Sequence, residues 1–241
     1  MRSEHPGILI ACEGIDGAGK TTQARLLGAA LEGIGADVVA SKEPTAGPWG
    51  KRLRESASSG RLSPAEELEL FIKDRREHVE TTIQPALRKG EVVILDRYYF
   101  STAAYQGARG YDPERILAEN ETFAPEPDLL VILHVPTAVG LQRIGARGDE
   151  ANLFEREGDL ERSGVIFRAM SRPYAIHVDG CLSIEAVHRE IKDALYHGAL
   201  FRKNCFKAHY KNECEPAFCS YRIDGSCRYI GLGQLVPARV G

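Results

Sequence analysis

The feature that most constrains this chain is the segment at residues 13–23, EGIDGAGKTTQ, which separates a short apolar run from a helix-like stretch. Gly14, Gly19, Lys20 and Thr21 match the phosphate-loop pattern G-x-x-x-x-G-K-[ST]. Glycines let successive backbone N–H groups point at one oxyanion, and the positive end of a following helix adds to the attraction. A glycine-rich turn that binds nothing is the alternative, but the flanking strand and helix patterns favour a site for nucleotide phosphates.

The loop pattern also predicts what its side chains do. Lys20 can reach the β- and γ-phosphates of a nucleotide, and the hydroxyl of Thr21 can face Mg²⁺. The residues expected to contact ATP are Gly14, Ile15, Asp16, Gly17, Ala18, Gly19, Lys20, Thr21 and Thr22.

Short apolar runs alternate with longer helical patterns along the chain, which is typical of a parallel sheet with crossover helices. Most of these runs are rich in Val, Ile and Leu, as expected of strands buried on both faces. The predicted strands are 7–12, 36–41, 91–95, 129–135 and 175–179, and the predicted helices are 21–34, 64–89, 136–147 and 183–200. We predict an α/β fold with a five-stranded parallel sheet, helices on both faces, and ligands beyond the carboxyl ends of the strands.

Composition changes near residue 199. The chain has 241 residues and a formal net charge of -3, but residues 199–241 carry seven Lys and Arg against three Asp and Glu, and four of the six cysteines. We therefore predict a nucleotide-binding domain at 1–198 and a small basic extension, rich in Cys and aromatic residues, at 199–241. The apolar runs are too short to cross a bilayer, and no charged-then-apolar signal opens the sequence, so we expect a cytoplasmic protein without a membrane partner.

Five motifs, in order and at matching spacing, give the chain a resemblance to the thymidylate (dTMP) kinase family between residues 8 and 195. They are EGIDGAGKTTQ, KEP at 42–44, LFIKDR at 70–75, DRYYFSTAAYQ at 96–106 and GLQRIGARG at 140–148. The resemblance implies a P-loop NTPase fold and transfer of a phosphoryl group from ATP, with Mg²⁺, to dTMP on the route to dTTP. It also implies a homodimer.

By the same resemblance, cations and carboxylates after the strands would serve the reaction. A kinase of this type must hold two phosphates in line and neutralise charge on the group in transit. Lys20 and Arg97 are the expected catalytic cations, and Arg97 would bridge the acceptor phosphate and the transferred group. Asp96 would hold Mg²⁺ with Thr21, partly through water, and Asp16 would face dTMP. A surface ion pair of Arg97 with Asp96 and a turn-forming Asp16 are the plainer alternatives.

The expected dTMP pocket lies on two segments. Phe71 resembles the residue that stacks on thymine, and Arg75, four positions later on the same helix face, could donate to a base carbonyl. Thr102 and Gln106 are polar candidates for the base edge, and Tyr105 resembles the tyrosine that crowds the 2′ position of the sugar. Sequence alone favours Phe71 as a core residue, and only the resemblance places it in the pocket.

The segment at about 140–162 resembles a lid. Some family members carry an arginine inside the phosphate loop, whereas here Gly17 and Ala18 stand there and the lid offers the arginines. We expect Arg147 to be catalytic, with Arg143 as the second choice. The alternative is a solvated basic helix face.

Two other residues have plainer interpretations. Lys42 stands where the family has arginine, which replaces a planar fork by a point charge and puts its contact with phosphate in doubt. His78 is expected to face solvent.

The extension lies outside the resemblance. Cys205, Cys214, Cys219 and Cys227 are candidate ligands of a structural Zn²⁺, with His209 between the first two, although their spacing is wider than that of most zinc sites. Packed or unpaired thiols and disulfides remain open. Aromatic and basic residues alternate here, which could indicate nucleic-acid contact, but we expect a small hydrophobic cap instead.

We therefore expect an ATP-dependent dTMP kinase. A kinase for another monophosphate, dUMP or UMP, is the alternative within the same class. An ATP-binding regulator whose extension recruits nucleic acid or protein is the alternative from another class. A regulator has no need for the pocket formed by Phe71, Arg75 and Tyr105.

Overall fold

A computed structural model describes residues 5–59, 62–146, 153–199, 219–221 and 227–229. The chain divides into two compact units, Met1–Cys205 and Phe206–Gly241. In the second unit, the described residues form an antiparallel pair of short strands, Cys219–Tyr221 and Cys227–Tyr229.

The first unit is built on five parallel strands in the spatial order β2-β3-β1-β4-β5. Their bounds are β1 Ile8–Gly14, β2 Val38–Lys42, β3 Val92–Asp96, β4 Leu129–His134 and β5 Ala175–Asp179. The three central strands are buried almost throughout, which explains their continuous apolar sequences. The predicted parallel α/β sheet is confirmed, and the strand bounds differ from the predicted ones by two residues at most.

The helices described in this unit flank and connect the strands. They are α1 Lys20–Gly33, α2 Pro48–Ser59, α3 Pro64–His78, α4 Gln84–Lys89, α5 Tyr99–Gly107, α6 Pro113–Glu121, α7 Thr137–Gly145, α8 Leu153–Ala169 and α9 Ile184–Ala194. A π-helical turn, Val79–Ile83, joins α3 to α4, and another, Leu195–Ala199, follows α9. None of the helices in the described part of the chain is long and apolar enough to span a membrane.

Local signals start several of these helices. Ser63 and Glu66 form a capping box at α3, with Pro64 at its first position, and Ser183 accepts a hydrogen bond from the backbone N–H of Ala186 at α9. Helices α2, α5, α6 and α8 were not among the predicted helices. Helix α5 could not be predicted from a local start signal, because the carboxylate that accepts hydrogen bonds at its N-terminus lies 85 positions earlier in the chain.

Candidate active site

The phosphate loop connects the buried strand β1 to α1. Gly19 precedes the helix with φ 103° and supplies no side-chain cap, and the first turn of α1 contains no acidic residue. The first N–H groups of α1 therefore remain available to an anionic ligand. Gly14 has φ 136°, and a Cβ there would collide with the carbonyl oxygen of Leu133 on β4, so only glycine fits this position.

Lys20 folds back over the loop. Its Nζ donates hydrogen bonds to the carbonyl oxygens of Gly14 and Ile15, at 2.9 and 2.7 Å. Burial, and then the nearby cation of Arg97, lower the pKa of Lys20 to about 7. An anionic ligand beside Lys20 would favour its ammonium form and so raise its pKa again.

Thr21 and Asp96 meet at the start of α1. The Thr21 hydroxyl donates to Oδ2 of Asp96 at 2.5 Å, and the exposed Lys42 lies 3.8 Å from the same oxygen. The other oxygen, Oδ1, is buried and has no hydrogen-bond partner among the described residues. A hydroxyl beside an incompletely paired carboxylate gives the hard oxygen ligands that Mg²⁺ prefers, so these residues fit that ion.

Arg97 has an unusual backbone conformation directly after β3. Its φ is 77°, in the left-handed region that non-glycine residues rarely adopt. Its guanidinium pairs with Asp16 of the phosphate loop, donates to the Ser101 hydroxyl at 3.2 Å, and lies 5.3 Å from the ring centre of Tyr105. Tyr105 also donates to Asp16 at 3.1 Å. Asp16, Arg97 and Tyr105 therefore form one cluster between the loop and α5, and Arg97 pairs with Asp16 rather than with Asp96.

Glu13 supports this cluster, a role that our sequence analysis missed. It is fully buried and accepts hydrogen bonds from the backbone N–H groups of Tyr98 and Ser101, at 2.7 and 3.0 Å, and from the Ser101 hydroxyl at 2.5 Å. These are groups at the beginning of α5, so Glu13 acts as the side-chain hydrogen-bond acceptor at the N-terminus of that helix. An acidic residue at the end of an apolar strand was the signal that could have revealed it, since such a group must find donors.

Arg75 lies in a buried network and is only 1% exposed. Its Nε and Nη2 donate to Oε2 of Glu43, at 2.8 and 2.6 Å. Nη1 donates to Oδ1 of Asn120 at 2.7 Å, and Nη2 donates to the Thr102 hydroxyl at 3.0 Å. Burial opposes ionisation of Glu43, but Arg75 and His78 outweigh it and lower the pKa of that carboxyl.

The prediction that His78 faces solvent is wrong. The side chain is 3% exposed; Nδ1 lies 3.0 Å from Oε1 of Glu43, and Nε2 lies 2.8 Å from the Ser41 hydroxyl. His78 follows Phe71 and Arg75 at helical spacing on one face of α3, and this spacing was the signal that could have placed it inside.

The other expected pocket residues lie nearby. Phe71 is half-buried, so part of its ring remains accessible. Gln106 is buried; its Nε2 donates to Glu67 at 3.1 Å, and its Oε1 has no partner within the described part of the chain. An unsatisfied amide oxygen is a group that a ligand or water can satisfy.

The described part of the lid contacts the loop directly. Gly140 on α7 packs so closely on Gly17 that a Cβ on either residue would collide with backbone of the other segment. Arg143 donates to the carbonyl oxygens of Gly17 and Gly180, at 3.3 and 3.0 Å. Arg147, the preferred catalytic arginine of the sequence analysis, lies outside the described residues.

A cleft of about 340 Å³ runs along the loop. It is lined by Asp16, Lys20, Thr21, Lys42, Asp96, Arg97 and Arg143 on its polar side. Leu182, Ile184 and Val187 form an apolar wall, and Leu182 and Ile184 are exposed. The cleft thus offers cations for phosphates beside an apolar surface that suits a nucleobase.

The described residues contain no cluster of three or more His, Cys, Asp or Glu side chains that could hold a metal ion. The suggested zinc ligands Cys205 and Cys214 lie outside those residues. For Cys219 and Cys227 only the backbone strands are described.

A proton should bind together with ATP. Burial lowers the pKa of Lys20 far below the ordinary value of a lysine, and the phosphates of ATP favour its ammonium form, so binding should take up protons and weaken as the pH rises. Calorimetric titrations in two buffers of different ionisation enthalpy measure this uptake. The Lys20→Met protein should lose most of it; equal uptake by both proteins would contradict the assignment.

The comparisons with known proteins agree with this geometry. A sequence profile of the family described as thymidylate kinase matches residues 12–191. The chain is 55% identical over 184 residues to a thymidylate kinase of Xanthomonas campestris, covering 76% of this chain and 81% of the relative. It is 49% identical over 191 residues to a thymidylate kinase of Desulfotalea psychrophila, covering 78% and 94%. The chain belongs to the thymidylate kinase family.

Proposed function

We infer that the protein catalyses transfer of the γ-phosphoryl group of ATP to the phosphate of dTMP, giving ADP and dTDP. The observation that best supports this function is the cluster of Asp16, Arg97 and Tyr105. In this cluster the Arg97 guanidinium lies against the phosphate loop, and its proposed role is to bind the acceptor phosphate there, so that two anionic substrates can meet at one point. The names of the two relatives, at 55% and 49% identity, support the same reaction.

In the proposed mechanism the acceptor oxygen attacks the γ-phosphorus as the bond to the β-phosphate oxygen breaks, with no covalent enzyme intermediate. The loop at 14–22 binds the phosphates of ATP through backbone N–H groups, and Lys20 neutralises charge on the transferred group. Arg97 holds the acceptor phosphate in line. Thr21 and Asp96 would hold Mg²⁺, which when bound shields phosphate charge.

We propose that the lid supplies the remaining positive charge. Arg143 already faces the loop and the apolar wall at Leu182, so it would cover the nucleoside part of ATP and the phosphate chain. Arg147 is proposed as the catalytic arginine that closure brings to the γ-phosphate, because the loop itself contains none. Closure would also exclude water, which otherwise competes as acceptor.

The acceptor base is proposed to lie between α3 and α5. Phe71 would stack on thymine, while Arg75, Thr102 and Gln106 supply polar groups for the base edge. Tyr105, fixed by Asp16, would crowd the 2′ position of the sugar and favour deoxyribose. Steric exclusion of one hydroxyl or methyl group supplies only about 1–3 kcal/mol, so discrimination among pyrimidine acceptors should be partial.

ADP release with each nucleoside monophosphate as acceptor tests this function. We expect the fastest turnover with dTMP, slower turnover with dUMP, and little with UMP or CMP, because base and sugar are both recognised. Equal turnover with UMP would contradict the substrate assignment. Absence of acceptor-dependent ADP release would favour an ATP-binding regulator.

Three further proposals concern the whole protein. By family resemblance it would act as a homodimer. The extension at 199–241 would form a hydrophobic cap, with a zinc site at its cysteines as the alternative. A cytoplasmic location, where ATP and dTMP are present, suits the proposed reaction.

A further inference from the structure

A line of four polar side chains runs from the protein surface to the proposed base pocket. It consists of Ser41, His78, Glu43 and Arg75 in that order, with polar distances of 2.8 Å, 3.0 Å and 2.6 Å between successive members. His78, Glu43 and Arg75 are each at most 4% exposed. Groups so far from water must be satisfied by one another, so the position of each depends on the next.

The two oxygens of Glu43 are divided between its partners. Oε2 accepts from Arg75 twice, whereas Oε1 faces only His78 among the described contacts. His78 therefore holds the one carboxylate oxygen that Arg75 does not contact, and the two residues together set the orientation of the carboxylate. That orientation contributes, with Thr102 and Asn120, to the orientation of the Arg75 guanidinium.

Arg75 has little freedom left for any other role. Of its five N–H donors, one on Nε and two on Nη2 are directed to Glu43 and Thr102, and one on Nη1 is directed to Asn120. One Nη1 proton has no hydrogen-bond partner among the described residues. Because the guanidinium is planar and rigid, its direction is set by the other four bonds.

We propose that His78 is a positioning residue for recognition of the acceptor base, acting through Glu43 on the direction of the last Arg75 donor. This inference rests on the proposed dTMP kinase function, and His78 itself touches no substrate in it. Nε2 of His78 lies 2.8 Å from the Ser41 hydroxyl, and Nδ1 lies 3.0 Å from Oε1 of Glu43. Each ring nitrogen of His78 therefore has one polar partner.

Two local features flank the contact between His78 and Glu43. His78 is the last residue of α3, and the π-helical turn Val79–Ile83 begins directly after it. Such a turn contains one residue more than a regular turn and often marks a functional position in a helix. Two residues after Glu43, the backbone N–H and the hydroxyl of Thr45 donate hydrogen bonds of 2.8 and 2.6 Å to Asp74 on α3. These bonds hold the segment that carries Glu43 against α3.

A pair of near-isosteric substitutions tests the proposal. In His78→Asn the side-chain amide takes the place of Nδ1 and can still donate to Glu43, whereas in His78→Gln the amide lies nearer to the position of Nε2 and Ser41. We expect His78→Gln to raise the KM for dTMP about tenfold, with kcat and the KM for ATP within about twofold of wild type. His78→Asn should restore most of the dTMP affinity. Equal KM values for the two variants, or parallel losses in kcat and in both KM values, would overturn the proposal.

Ser41→Ala extends the test should His78→Gln fail to fold. Ser41 is only half-buried and borders a cavity of about 530 Å³, so water can replace its hydroxyl in part and the effect should be smaller than that of His78→Gln. We expect about a twofold to threefold rise in the KM for dTMP, while Ser56→Ala, which loses a buried hydroxyl bonded only within its own helix, leaves it unchanged. No difference between these two proteins would overturn the proposal.

A double substitution shows whether His78 acts through Glu43. If it does, Glu43→Gln combined with His78→Gln should raise the KM for dTMP no more than Glu43→Gln alone. Multiplying effects would mean that His78 acts independently, contrary to the proposal. The wild-type protein is the separate check on the function: if it does not phosphorylate dTMP, the proposed reaction fails before any variant is compared.

Discussion

Replacing Arg97 by alanine is expected to lower kcat with dTMP by a factor on the order of 100 or more. The guanidinium stands between the phosphate loop and α5, paired with Asp16, where charge would develop on the transferred phosphoryl group. Alanine removes that positive charge from the site. Steady-state kinetics with saturating ATP and dTMP measure the effect.

Arg97→Gly separates catalysis from backbone strain. The φ of 77° at this position penalises any residue with a Cβ, so the glycine protein should be more stable to urea than the alanine protein by about 1 kcal/mol. Both should be equally poor catalysts. A glycine protein with near-normal kcat would show that only the backbone conformation matters here and that the side chain is not catalytic.

Lys20→Ala should also lower kcat on the order of 100-fold or more, since the loop sequence at 14–22 contains no second cation that could take its place. Folding should suffer little. Burying the Lys20 amino group costs solvation free energy, whereas its hydrogen bonds to two loop carbonyls stabilise the fold. The alanine substitution removes both effects, and they offset each other. The thermal midpoint should move by less than about 4 °C.

Lys51→Ala is the matched control for this substitution. Lys51 is also a helical lysine, but its side chain is 72% exposed and pairs weakly with Glu55, so its removal should change neither kcat nor stability. If Lys20→Ala retained more than about a tenth of the wild-type kcat, or if it unfolded, its proposed role at the phosphates would be wrong.

The parts of the fold that could be predicted are those with local causes. The strands β1, β3 and β4 are continuous apolar runs because both faces are buried, and the phosphate loop is specified by glycines and a lysine that lie close together in the chain. The order of motifs along the chain then placed Asp96 and Arg97 at the carboxyl end of β3, beside the loop. Parallel topology alone brings these residues together.

The parts that sequence could not predict depend on partners far apart in the chain. Glu13 caps a helix that begins at Tyr99, and nothing near Tyr99 indicates where its cap comes from. His78 was placed in solvent because nothing near it in the sequence indicates its partner Glu43, 35 positions away. The orientation of the Arg75 side chain could not be predicted either, since its hydrogen-bond partners Glu43, Thr102 and Asn120 lie 27 to 45 positions away in the chain.

Glu13 gives the protein a thermodynamic property beyond its structural role. The same buried carboxylate ends the strand that leads into the phosphate loop and anchors the helix that carries Tyr105. Glu13 thus connects the proposed ATP site to α5, the helix that we propose to contact the acceptor. By linkage, the factor by which ATP changes the affinity for dTMP must equal the factor by which dTMP changes the affinity for ATP.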